Sequence, residues 1–266
     1  MINKTLYLHE MKKSIKLLLI LGIVLTFYMV VIIGMYDPKM LDMLNQFYEM
    51  MPELMASMGM KTGTSNLLGF MISYLYGFIV LVFPMVFCIV RGNGLVAKYI
   101  DDGSMALLLS APVKRKTIIL TQLATLLSGI LILVSYSTIV ELIVANIKFP
   151  GELDISKLLL LNLFLLCLHL FIAGICFLSS CIFSEFKNSL AFGAGIPCVM
   201  FVLQMLANVG EKSEFVKYFT FFTLFDPYEI IKYSVLAIIG PLVLFIGSVV
   251  MFISGCVIFC KKDICV

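Results

Sequence analysis

Six apolar runs, each longer than the ~18 residues that mark a membrane-spanning helix, alternate along this chain with short polar interruptions. They cover Leu17 to Met35, Leu67 to Val90, Ile118 to Asn146, Leu158 to Ile182, Ser189 to Val209 and Val235 to Phe259. The second carries Pro84, which a membrane helix accommodates as a kink. Ahead of the first, Met1 to Lys16 sets Lys4, Lys12, Lys13 and Lys16 against Leu6, Leu8, Met11 and Ile15 at helical spacing. That pattern predicts an amphipathic helix lying in the membrane interface, or else a plain charged flank of the first span. A secretory signal is not expected, because Leu17 to Met35 is too long for an h-region and no small-residue cleavage site follows it. Between spans one and two, Tyr36 to Asn66 is rich in Met and Leu at spacings that predict short interfacial helices interrupted at Pro52 and Gly59. The longer connection at 210–234 contains Phe225, Asp226, Pro227, Tyr228 and Glu229, a mix of breaker, acids and aromatics that suits an interfacial or re-entrant helix or an ordinary aromatic belt.

The most informative polar segment is 91–117. Asp101 and Asp102 supply an N-cap and first-turn negative charge, and Gly103 and Ser104 permit a sharp entry. The chain from Ser104 to Ser110 then forms a short helix with Met105, Leu108 and Leu109 on one side, ended by Pro112, which pushes the residue before it out of the α region. Lys114, Arg115 and Lys116 follow. A helix this short is not stable alone and is expected to dock on something.

Asp101, Gly103, Ser104, Leu108, Leu109, Ser110, Pro112 and Arg115 together resemble the loop between the second and third spans of ABC-2 type transporter permeases. Many members of that family carry Glu where Tyr99 stands, and often Lys where Gln122 stands. The tail Phe259 to Ile264 is similar to the family's closing F-x-x-R-D-L, with Lys262 for Arg. The resemblance runs over the full length and implies an all-α polytopic membrane protein of one domain, 1–266. Its parts would be six transmembrane helices, an elbow helix at 1–16, and a coupling helix in the cytoplasmic loop 91–117. It assigns the docking of an ATPase subunit to Asp101, Asp102, Gly103, Ser104, Met105, Leu108, Leu109, Pro112 and Arg115, and short helices capping the outer end of the substrate path to 210–234.

Composition agrees with a membrane protein: 62% hydrophobic residues, 13% charged and a mean hydropathy of +1.10, far from soluble usage. With the N-terminus inside, the inner segments hold 12 of the 19 Lys and Arg residues and the outer segments 7, which places both termini and the 91–117 loop in the cytoplasm. No basic patch with interleaved aromatics points to nucleic acid. The eight cysteines lie in or beside apolar runs without metal-ligand spacing, as reduced structural thiols do. There is no G-x-x-x-x-G-K-S/T loop; Gly59 to Gly63 lacks the closing lysine and the preceding strand. If ATP drives this protein a separate subunit binds it, and the resemblance implies that ATP and its Mg are held by a partner ATPase.

Catalytic chemistry is not expected. His9 and His169 are the only histidines, and neither has a sequence-evident nucleophile or a zinc motif beside it. His169, in the middle of span four, reads as a neutral imidazole bonded to a neighbouring helix or as a working ionisable group. Glu141 lies roughly 8 Å below the outer surface and His169 roughly 18 Å, so the two are not expected to pair. Glu141 either snorkels outward, pairs with an outer lysine or sits protonated. With Asp226 and Glu229 these are the candidate pathway or gate residues. The reading that results is the permease subunit of an ABC exporter in a bacterial plasma membrane, paired with an identical or related permease and with ATPase subunits. An ion-coupled carrier and a non-transporting immunity or sensor component are the alternatives.

Overall fold

Backbone N–H and C=O groups inside a bilayer find no water, so an apolar run must pair them within itself and becomes a helix. The computed structural model describes residues 2–37, 49–60, 66–209 and 211–263, and among them regular structure is entirely helical. In chain order the elements are α1 (Lys4–Gly34), α2 (Pro52–Ser57), α3 (Leu67–Met71), a π-helical turn (Ile72–Tyr76) and α4 (Ile79–Gly94). Then come α5 (Ala97–Asp101), α6 (Ser104–Ser110), α7 (Arg115–Lys148), α8 (Ile155–Ile182) and α9 (Phe186–Asn208). Two 3₁₀ turns (Glu211–Phe219 and Phe221–Leu224), α10 (Pro227–Ile230) and α11 (Val235–Lys261) complete the set. Among the described residues six helices are long and apolar enough to cross a membrane, the second counted from Ile79 through Asp101.

α8 is the core. It packs against α11, α4, α9 and α7, while α1 lies along α7. Small residues set the closest approaches: a Cβ on Gly129 of α7 would lie 2.2 Å from the Phe87 ring of α4, and one on Gly92 would lie 2.5 Å from Cβ of Cys176 on α8. Such contacts hold only where no side chain intervenes, as is common where helices associate in lipid.

Two expectations are corrected here. Residues 4–16 are not a separate elbow helix in the described chain; they are the first turns of α1, since no proline or glycine interrupts the sequence between Lys4 and Leu21. Their apolar residues Leu8 and Ile15 face outward, whereas Glu10 and Ser14 are buried. The second span breaks at Gly77 and Phe78, and Pro84 lies inside α4. At the break Gly77 packs on the carbonyl of Met58, from another segment, so tightly that a Cβ would sit 1.9 Å from that oxygen. In the segment expected to hold interfacial helices, Pro52 occupies the first turn of α2, and Gly59 closes it with φ +77. Residues 38–48 and 61–65 of that segment lie outside the described residues.

Candidate functional site

The Asp-Gly-Ser turn between α5 and α6 follows from what each residue can do. Gly103 sits at φ +74, a left-handed conformation that disfavours a side chain. Asp102 then reaches across it, its Oδ1 accepting from the Ser104 amide at 3.0 Å and from the Ser104 hydroxyl. These bonds favour the ionised form and hold the Asp102 carboxyl below its ordinary range. The cap is thus built from Asp102 reaching over a glycine, with the exposed Asp101 taking no part in it. At the other end Ala111 is extended, as a residue before proline must be, and Pro112 stops the helix.

The apolar side of α6 faces its own chain. Met105 is buried, and Leu108 and Leu109 pack against the core. Leu107 is 75% exposed, and Ser110, Ala111 and Pro112 are exposed beside it.

Three sets of polar contacts fix the segments on either side of this helix. In the first, Glu10 of α1, only 1% exposed, accepts from Arg91 of α4 at 2.8 Å and from the Tyr99 hydroxyl of α5. Lys13 joins them, 2.7 Å from the Tyr99 oxygen and 3.4 Å from Glu10. In the second, Asn93 of α4 accepts at Oδ1 from the Ser189 hydroxyl of α9 at 2.9 Å, and at its carbonyl from the Ser180 hydroxyl of α8 at 3.0 Å. Ser180 accepts in turn from the Ala97 amide at the start of α5, 2.8 Å away. Gly193 makes room for this clasp, since a Cβ there would lie 2.2 Å from Asn93 Oδ1. In the third, Arg115 donates to the Lys262 carbonyl at 2.9 Å, and the Lys262 ammonium caps α8 by donating to the carbonyls of Cys181 and Ile182 at 3.2 and 2.9 Å. Burial holds the Lys262 ammonium below its ordinary pKa.

The opposite end of the bundle holds a cavity of about 390 Å³, whose lining includes Tyr76, Leu81, Gln204, Asn208, Asp226 and Tyr228. Asp226 caps α10, its Oδ1 accepting from the Tyr228 and Glu229 amides at 2.9 and 3.4 Å. Glu229 makes an ion pair with Lys232 at 2.9 Å near the surface. The Tyr228 hydroxyl lies 2.7 Å from Ser73 Oγ in the π turn and donates to the Gly59 carbonyl at 3.3 Å, tying three segments together.

Two of the wall residues lead inward. Behind Tyr76 lies Glu141, whose Oε2 accepts from the Tyr76 hydroxyl and from Asn162 Nδ2, both at 2.9 Å. Behind Leu81 lies His169, with Nε2 at 3.1 Å from the Leu81 carbonyl and Nδ1 at 2.9 Å from that of Leu165. Among the described residues Glu141 is buried with no lysine partner, so it neither snorkels nor forms an ion pair. Glu141 and His169 make no hydrogen bond to each other. The two histidines belong to no cluster of three metal-binding side chains among the described residues.

The sequence pattern singled out neither Glu10 nor Asn93. Both are polar residues in apolar surroundings, a signal of burial that gives no indication of the partner.

A family model described as ABC-2 family transporter protein matches residues 4–264. No curated protein and no solved structure matches the chain.

Proposed function

The chain belongs to the ABC-2 transporter family and is the membrane permease of an ABC transporter; from that premise we propose that it exports its substrate using ATP hydrolysed by a separate ATPase subunit. The observation that carries this reading is α6, a short helix whose inner side is satisfied by its own chain while Leu107, Ser110, Ala111 and Pro112 stand exposed. An exposed apolar patch on a short helix held between fixed flanking segments suits a partner groove. In this reading the end carrying α6 is cytoplasmic, in a bacterial plasma membrane, and a second permease, identical or related, completes the pathway. Closure of the ATPase pair around ATP and Mg draws the two α6 helices together and shifts the population between inward- and outward-facing states. The cavity beside Asp226 is then the outer end of the path, with Glu141 and His169 behind its wall.

The test is co-purification with the ATPase. Leu107→Asp places a charge on the docking face alone and is expected to abolish recovery of the ATPase while leaving the melting temperature of the permease unchanged. Leu108→Asp is expected to lower that melting temperature as well, because it puts an unpaired charge against the chain's own core. A Leu107→Asp variant that keeps the ATPase at wild-type stoichiometry and turnover removes α6 from the contact.

A further inference from the structure

The surroundings of Glu141 leave two oxygens without a donor. Glu141 is 0% exposed, and both hydrogen bonds that it accepts fall on Oε2, one from Tyr76 and one from Asn162. Among the described residues its Oε1 has no partner, and neither has Oδ1 of the same Asn162. Turning the Asn162 amide over does not relieve this. Its Nδ2 also donates to the Leu158 carbonyl at 3.3 Å, so the flipped amide would aim an oxygen at two acceptors. Among the described residues no lysine or arginine is paired with Glu141. The groups bonded to it are Tyr76 from the π turn and Asn162 from α8; among the described residues α1, α4 and α11, which also pack on α7, contribute no hydrogen bond or ion pair to it. An ionised carboxylate here would be a lone charge at membrane depth, beside a second unsatisfied acceptor.

We propose that Glu141 and Asn162 form a proton-binding site, with the proton on Glu141 Oε1 donated to Asn162 Oδ1. One proton satisfies both oxygens: a hydronium ion gives up an O–H bond and leaves as water, an O–H bond forms on Oε1, and the carboxylate becomes a neutral acid. The two side chains then close a cyclic acid–amide pair. Asn162 Nδ2 donates to Oε2, Oε1 donates to Asn162 Oδ1, and the Tyr76 hydroxyl adds a second bond to Oε2, now the carbonyl oxygen of the acid. The bound proton fastens α7 to α8 and, through Tyr76, to the π turn. Because Tyr76 also lines the cavity at this end, the site is one side chain removed from that cavity.

Infrared difference spectra of the full chain reconstituted in lipid at neutral pH, wild type against Glu141→Gln, test this. The expected result is a protonated-carboxyl C=O band that is present in the wild type, absent in the variant and shifted by deuterium exchange. In Asn162→Ala, where the acid has lost its acceptor, that band moves to higher frequency. Glu141→Gln keeps an N–H where the acid has its O–H, so it is expected to melt within about 2 °C of the wild type, whereas Glu141→Leu melts lower. Loss of carboxylate bands in place of the acid band overturns the proposal, as does an acid band indifferent to Asn162→Ala. If Glu141→Gln does not fold, the wild type against Asn162→Ala decides on the same band.

Discussion

Glu10 accepts from three side chains, and their exposures rank what each contributes. Arg91 is mostly buried, and among the described residues its Nε has no partner, so Glu10→Ala leaves a buried guanidinium without its counter-charge, holding only the bond to the residue 10 carbonyl at 3.3 Å. Removing one partner of a buried ion pair costs about 3–5 kcal/mol, and thermal unfolding of the purified chain is expected to register a loss of that size. Lys13, with 46% of its side chain exposed, adds only about 0–1 kcal/mol by the measure of surface pairs, so Lys13→Ala is expected to melt close to the wild type. At this scale little could be read in advance. Glu10 looks in sequence like one more polar residue on an amphipathic stretch, because its partners stand 81 and 89 positions away. The Asp-Gly-Ser turn was legible, since every bond in it is local.

Among whole elements, the packing of α9 on α4 turns on a single missing methyl. Gly193→Ala would push a Cβ into Asn93 Oδ1, whereas Gly195, two residues on, has nothing within 4 Å. Overpacking of this kind costs about 1–3 kcal/mol, while an unobstructed Gly to Ala change in a helix gains up to about 1 kcal/mol. The two variants are therefore expected to move the melting temperature in opposite directions; equal shifts would mean that the clasp is slack. The six spans and the short helix were readable because apolar length and Gly-Pro punctuation are properties of one segment at a time. Periodicity grouped Met105, Leu108 and Leu109 on one side of α6, but which way that side looks depends on Val96, Tyr99 and the rest of the core, elements that a pattern within seven residues cannot contain. The break at Gly77 was hidden for a related reason, since that glycine packs on the Met58 carbonyl, on another segment.

For the whole molecule, the proposed orientation is checked in intact cells. In a cysteine-free background, Met50→Cys, at an exposed position on the far side, is expected to react with an impermeant thiol reagent, and Ser110→Cys on α6 is not. Labelling at position 110 alone would invert the assignment. The charge count is what supports this orientation, and the helix packing is compatible with either sense.

The close contact between Gly129 and Phe87 also has a mechanical meaning. α7 has 34 residues and is about 51 Å long, against ~30 Å of hydrocarbon, so it is a strut longer than the layer it crosses. Gly129 stands 14 residues from Arg115 and 19 from Lys148, which makes the arms about 21 and 29 Å at 1.5 Å per residue. Rocking about that fulcrum reverses direction from one end to the other. If α7 pivots there as a rigid strut, each ångström by which Arg115 is drawn inward would swing the Lys148 end outward by roughly 1.4 Å, from the ratio of the two arms.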